Sequence, residues 1–494
     1  MRNGPMEKNR VVPIDIAKKR VGPRMVFSSF VFLFAFLPVV LLLYFVTPDR
    51  AKNAVLLIFS LLFYAWGEPV WIVVLLLNAA VGWGCGLWIE RCRGRKKAAA
   101  VLFGSAAFQI ALLVYFKYTG LLLHTLQAAI GVALPFREPG LPIGISFFTF
   151  HLISYLTDVY RGEARALKSY SQLLLYLSLF PQLVAGPIVR FADVHRQLER
   201  RRVTLEDFAR GISRFVIGLG KKVVFADSLA GLAAVYLEGD PGKLSVAGAW
   251  FGIVLFALQI YFDFSGYSDM AIGLGRMFGF AFKENFDYPY VSRSATEFWR
   301  RWNISVGRFF RDYVYIPLGG NRRRPWFNLF AVWALTGLWH GASWNYVAWG
   351  LYFGLLIAIE KSFFSRLLEA APSLFSHLYF AIAVLTGWVL FYFEAIGRGL
   401  LYLRTMYGFG AAPLTDAELA IRLQNNVFLL LAAIVAATPL PAAIHRALAE
   451  RLRPGAVRGL YTNALVPVVC LAILAVSVLL LVGKTYSPFF YFRF

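Results

Sequence analysis

Long apolar windows separated by short basic runs recur from one end of this chain to the other, and a run of about 20 apolar residues is what an α-helix needs to cross a bilayer core. The windows fall at 26–46, 54–66, 70–89, 98–116, 121–134, 141–156, 173–188, 246–262, 327–359, 378–393, 427–442 and 464–482. Strand-like alternation is absent, so the expected class is an all-α polytopic integral membrane protein and not a barrel. About ten to twelve transmembrane helices are expected. The shortest windows are marginal for a full crossing and read as re-entrant or interfacial helices around an internal cavity.

Charge distribution supports that class and limits the partners. With 59% hydrophobic residues in 494, the chain carries too much apolar side chain for a water-soluble domain. Its net charge of +23 lies in short runs between the apolar windows, the positive-inside pattern, so the lipid bilayer and not nucleic acid is the expected partner. The basic runs at 48–53 and 91–97 read as cytoplasmic, which puts the start of the first window outside. A basic stretch at 1–24 would then have to be translocated, so it is expected to be a disordered extension or to precede the true start at Met25. Residues 25–494 read as one membrane domain without internal repeats. Cys85, Cys92 and Cys470 lack metal or disulfide spacing, and no metal site is expected.

The uncharged window 327–359 carries one imidazole, His340. An ionised group costs about 2–3 kcal/mol in such surroundings on insertion scales, so a histidine here is a site candidate. Histidines also brace membrane helices through hydrogen bonds, and position alone does not separate the two roles. Thr336, Gly337 and Trp344 are its expected helical neighbours, and Gly341, Ala342 and Ser343 are expected to bend the helix or thin the wall beside the imidazole. Between Ser292 and Arg324 eight arginines face two acids, Glu297 and Asp312. Glu297 with Arg301 and Arg308 with Asp312 have pairing spacing along a helix, while the other arginines suit a phosphate-bearing donor or, equally, interfacial anchoring. Asp263 and Asp269, among Ser265, Gly266 and Ser268, suit a broken helix lining a cavity or a structural ion pair, as does Asp227 after Lys221 and Lys222. Thr204 and Asp207 form a helix-start signal after the charged stretch 190–202. Nucleophile-elbow, phosphate-loop, metalloprotease and dinucleotide fingerprints are absent from the sequence.

Taken together, LPIGISFF (141–148), AGPIVRF (185–191), DFSGYSDMAIGLG (263–275), EFWRRW (297–302), RDYVYIPLGGNR (311–322) and GLWHGA (337–342) resemble the membrane-bound O-acyltransferase (MBOAT) family, its bacterial alginate O-acetyltransferase branch above all. The resemblance runs from about Met25 to the aromatic C-terminus. It implies a helical ring around a central funnel or tunnel, with a catalytic block at 297–350. It also implies His340 as the family's histidine and general base. Asn303 falls on the family's second polar position, where this branch usually carries histidine. An amide there can orient a donor carbonyl but cannot act as a base. Phe353 replaces another histidine common among relatives. Arg300, Arg301 and Arg311, with Trp339, Asp269 and Asp263, complete the candidate donor and substrate contacts. The implied activity is O-acyl transfer, most simply O-acetyl transfer, from acetyl-CoA or an acylated carrier protein on the cytoplasmic side. The implied acceptor is a hydroxyl on an exported polysaccharide or on a periplasmic acetyltransferase partner, and the implied location is the bacterial inner membrane. The residues themselves leave open a polysaccharide or acyl transporter and a non-catalytic scaffold of an export complex.

Overall fold

The structure, a computed structural model, describes residues 25–132, 135–452 and 456–482, so the stretch 1–24 lies outside the described residues. Every regular element among the described residues is helical. The first windows form α1 (Leu37–Val46), α2 (Lys52–Gly67) and α3 (Ile72–Arg91). The next two windows, expected as separate segments, instead share one helical stretch, Lys96–Ile130. It consists of α4 (Lys96–Leu113), a π-helical turn at Val114–Tyr118 and α5 (Thr119–Ile130). The polar residues between the two windows, Lys117 and Thr119, carry no helix-breaking backbone, and the π turn absorbs them.

α6 (Ile145–Arg161) starts after a left-handed Gly144 whose absent Cβ would meet the Leu183 carbonyl oxygen at 2.7 Å. The window 173–188 divides into the buried α7 (Tyr170–Ser178) and α8 (Phe180–Leu183), neither long enough to cross. The charged stretch forms α9 (Phe191–Glu199), whose first amides are received by α6: Phe191 N–H donates to Ser154 Oγ at 2.9 Å and Ala192 N–H to Asp158 Oδ2 at 2.8 Å. α10 (Leu205–Gly220) starts where the sequence predicts, with Thr204 Oγ1 accepting the Asp207 N–H at 3.0 Å.

α11 (Asp227–Leu237) leads into α12 (Val246–Met277), a single unbroken helix of 32 residues. The broken helix expected at 259–273 is therefore absent, and the reason lies in what its small residues touch. Gly266 and Gly273 pack directly on Gly218 and Gly211 of α10. An added Cβ at Gly266 would stand 2.7 Å from the Gly218 oxygen, and one at Gly273 would stand 2.6 Å from the Gly211 oxygen. The glycines serve close helix approach, not a break. The acids of this stretch then reach cations in α10 and in the following π turn: Asp263 pairs with Lys222 at 2.7 Å, and Asp269 with Arg214 and Lys221, each at 2.7 Å. Lys222 also holds Asp227 at 2.9 Å.

The block expected at 297–350 is spanned by α13 (Ala295–Arg301), α14 (Ile304–Phe310), α15 (Pro325–His340) and α16 (Trp344–Ile359). The window 327–359 thus folds as a hairpin, turning at Gly341–Ser343. Its two arms interlock through glycines, since a Cβ at Gly337 would stand 2.2 Å from the Tyr346 oxygen and one at Gly350 would stand 2.2 Å from the Trp333 oxygen. α17 (Ser365–Ala370), α18 (Ser373–Tyr392), α19 (Ile396–Met406), α20 (Ala417–Ala436), α21 (Leu440–Arg451), α22 (Ala456–Leu460) and α23 (Val466–Leu481) complete the chain. Among the described residues seven helical stretches are long and apolar enough to cross a membrane, with shorter apolar helices at Phe32–Val46 and Lys52–Gly67. Outward-facing apolar side chains such as Phe103 and Leu479, 72% and 70% exposed, suit a lipid-facing surface.

Two apolar cores divide the interior. One gathers α1 to α4, α6 to α10, the second half of α12, and α14; the other gathers α11, the first half of α12, α13, α16, α18 and α19. Asn303 lies between Trp302 of one core and Val306 of the other, and His340 between Trp339 and Tyr346. Both positions stand at the seam.

Two predictions follow from this packing. Gly266→Leu must force α10 and α12 apart and is expected to destabilise by about 1–3 kcal/mol or more, read as a lower unfolding temperature in detergent. Gly231→Ala, where nothing lies within 4 Å, should leave that temperature unchanged or raise it slightly. The second concerns the polar cluster at α9. Burial alone would push the Asp193 carboxyl up, but Arg190, at 3.1 Å, and Lys283 hold it below the usual carboxylate range. A carboxyl lowered on folding stabilises above its unfolded value of about 3.9, and that contribution is lost as pH falls through the lower folded value. Asp193→Asn should lower the unfolding temperature at pH 7 and leave a shallower further decline below about pH 4 than the unmodified protein has.

Candidate active site

His340 is the last residue of α15, and the hairpin turn explains how a polar side chain is placed among rings. Trp339, Trp349 and Phe391 surround the imidazole at centroid distances of 4.8, 5.0 and 5.3 Å, the last two nearly edge-on. Only 5% of the residue is exposed. Trp344, expected beside it on a continuous helix, instead lies past the turn, half exposed, with its indole N–H donating to Thr125 Oγ1 at 2.9 Å. A vestibule of about 600 Å³ opens at this turn, lined by Lys117, His124, Glu138, Ala342 and Trp344.

Asn303 adopts a left-handed backbone, φ +45°, at the N-terminal cap of α14. Asparagine tolerates that conformation better than most residues. Asn285, fully buried, holds the turn in place. Its carbonyl accepts the Ile304 N–H at 2.9 Å, its Oδ1 accepts the Ser305 N–H at 3.0 Å, and its Nδ2 donates to Ser268 Oγ at 3.1 Å. The buried side-chain Oδ1 of Asn303 has no hydrogen-bond partner among the described residues. Its chain neighbour Trp302 packs on Trp388 at 5.0 Å, and Trp388 in turn packs on Phe391 at 5.6 Å. Phe391 is also a wall of the His340 pocket, so one aromatic cluster flanks both positions. Phe353 lies in the same cluster, 5.0 Å from Trp299 and 5.5 Å from Trp349.

The arginines of the block separate into engaged and available. Arg301 pairs with Glu297 as the spacing predicts, at 3.0 Å, and with Asp287 at 3.0 Å. Arg308 does not take Asp312. That carboxylate is held by Arg190 at 2.6 Å and by the adjacent Arg311 at 2.7 Å, because the π turn at Arg311–Tyr315 shifts Asp312 out of the α-helical register the spacing assumed. Arg300 is exposed and lies near Lys361. Asp263 and Asp269 are engaged by the cations of α10 and its π turn, and the indole of Trp339 packs on Phe147 and Phe150. Among the described residues no group of three or more His, Cys, Asp or Glu is arranged to hold a metal ion.

Three residues that sequence reasoning passed over help build this site. Lys117 Nζ donates to the Trp339 carbonyl at 2.6 Å, Asn285 fixes the Asn303 turn, and Glu360 receives the first amides of α13, from Ala295 at 2.7 Å and Thr296 at 2.8 Å. A lone lysine between two apolar windows was the one available signal for Lys117, and Glu360 likewise closes an uncharged run. Asn285 carried no signal, since its partners are distant in sequence.

Residues 98–402 match the family model described as MBOAT, membrane-bound O-acyltransferase family. The chain is 39% identical to the probable alginate O-acetylase AlgI of Azotobacter vinelandii, across 95% of this chain and all of that protein. It is 30% identical to the peptidoglycan O-acetyltransferase of Helicobacter pylori over 82% of this chain and 85% of that one, and 26% identical to the teichoic acid D-alanyltransferase of Bacillus subtilis over 45% and 59%. With a helical, lipid-facing body and the family's motifs around a buried His340, the chain belongs to the membrane-bound O-acyltransferase family and is an acyltransferase.

Proposed function

We propose that this enzyme moves an acetyl group from a thioester donor on the cytoplasmic side to a hydroxyl presented from the other side of the bacterial inner membrane. The acceptor is an exported polysaccharide of the alginate kind, or a periplasmic partner that acetylates it. The observation that carries this reading is the buried imidazole of His340 at the end of α15, beside the vestibule at the hairpin turn. The basic run Arg322–Arg324 precedes α15, and the charge rule puts it in the cytoplasm, so the vestibule belongs to the outer side.

In the reaction, His340 takes the proton of the acceptor hydroxyl as its oxygen bonds to the thioester carbonyl carbon. The carbon–sulfur bond then breaks, and the imidazolium returns its proton to the leaving thiolate, which departs as the free thiol. The amide of Asn303 orients the donor carbonyl or stabilises its developing negative charge. Arg300, exposed and without an acid partner among the described residues, is the best placed of the three named arginines to meet a donor phosphate or carrier. Arg301 and Arg311 already hold carboxylates. Acetyl-CoA or an acylated carrier protein supplies the acyl group. Asp263 and Asp269, the buried acids that a transporter reading would draw on, are paired with Lys222, Arg214 and Lys221. A scaffold reading would leave function indifferent to His340.

Cells carrying His340→Ala, with membrane abundance checked, should lose polymer-bound acetate by about 100-fold or more. Acetate retained at normal abundance would overturn the catalytic role and favour the scaffold. Asn303→Gly keeps the left-handed backbone while deleting the amide, and should cut acetylation by roughly 10- to 1,000-fold without a large change in unfolding temperature. Asn303→Ala should add a stability loss of about 1–2 kcal/mol from the backbone alone.

A further inference from the structure

The end of α15 is held by a pair of side chains whose role is not accounted for by packing. Lys117 Nζ donates to the Trp339 carbonyl at 2.6 Å and reaches Ser146 Oγ at 3.4 Å, while the Tyr118 hydroxyl donates to the Leu338 carbonyl at 2.6 Å. These carbonyls belong to the last turn of the helix, where the α-helical ladder has no amide left to offer them. The neighbouring residues reach neighbouring carbonyls from the π turn at Val114–Tyr118, which sets both side chains on the same end of α15. No carboxylate lies within ion-pairing distance of Lys117 among the described residues. Its ammonium is balanced by carbonyl dipoles at the negative end of α15, a favourable place for a cation and a costly one for a lysine that had only packing to do. The same lysine lines the vestibule, across the turn from Ala342 and Trp344.

We propose that Lys117 is a positioning residue for His340: with Tyr118 it terminates α15 at the seam and fixes the imidazole relative to the vestibule. The proposal rests on the catalytic reading of His340 only for its effect on activity, because the position of the ring is a property of the resting protein. Misplacing a catalytic group by about 1 Å can cost on the order of 100-fold in rate.

The test uses the full-length protein in membranes, with two readouts. One is polymer-bound acetate in cells. The other, independent of acyl transfer, is the rate at which diethyl pyrocarbonate carbethoxylates His340, followed by mass spectrometry, with the partly exposed His377 as internal reference. Lys117→Met, at normal abundance, should lower acetate by roughly 10- to 100-fold and change the His340 rate severalfold relative to His377. Lys117→Arg, which keeps a cationic donor, should recover part of both, and Tyr118→Phe should show a smaller change in the same direction. Should Lys117→Met leave the His340 rate unchanged, the proposal is overturned, whether or not acetate falls. A changed His340 rate beside His340→Ala cells that still make acetylated polymer would support the positioning role and overturn the catalytic reading instead. Loss of abundance in Lys117→Met moves the comparison to Lys117→Arg and Tyr118→Phe, and an unaltered His340 rate in both overturns the proposal.

Discussion

A helix that ends inside an apolar interior must find partners for its last carbonyls, and the architecture around His340 follows from that requirement. A carbonyl buried without a donor costs about as much as a lost hydrogen bond. α15 ends at His340 because the hairpin turn begins there, and Gly337 and Gly350 bring the two arms too close for any other residue at those positions. Ending the helix creates both the need for Lys117 and Tyr118 and the turn beside which the imidazole is set. A continuous helix through 327–359 would have neither.

The seam between the two cores gives the imidazole its location. Side chains packed within one core are surrounded by that core alone. Those at the seam meet residues from both halves. Asp263, Asn303 and His340 all stand where the chain passes from one core to the other. α12 crosses the seam without breaking, and Lys222 meets Asp263 at the crossing. The bridge between the halves is therefore rigid, and the two polar positions that match the family's motifs are held from both sides by aromatic surface instead of by flexible loops.

Much of this was legible in the residues. Periodic apolar windows and basic runs gave the helical membrane class, the Thr204 cap and the Glu297–Arg301 pair fell where spacing put them, and six ordered motifs led to the family. What spacing missed was tertiary. Gly266 and Ser268 look the same in sequence whether a helix breaks or packs against another helix, and only Gly211 and Gly218 on α10 decide between the two. Arg308 and Asp312 have helical spacing, but a π turn intervenes and Arg190, far away in the chain, takes the carboxylate. Two windows merged into one stretch because a single lysine between them punctuates hydropathy without ending a helix. That lysine then reaches a carbonyl 222 residues away, which no local pattern can foretell.

Opposite charges hold the two ends of the segment from α13 to α15. α13 begins against the buried carboxylate of Glu360, which accepts the Ala295 and Thr296 amides and the Tyr379 hydroxyl, and α15 ends on the ammonium of Lys117. Each charge complements the helix end it meets, anion at the positive end and cation at the negative. Neither has an ion-pair partner among the described residues, so each is balanced mainly by hydrogen bonds with fixed directions. A salt bridge would satisfy the charge from many geometries, whereas a carboxylate shared by two successive amides, or an ammonium on one carbonyl, does so in few. The block from α13 to the turn after α15 is thereby anchored at both termini by interactions that fix orientation as well as place.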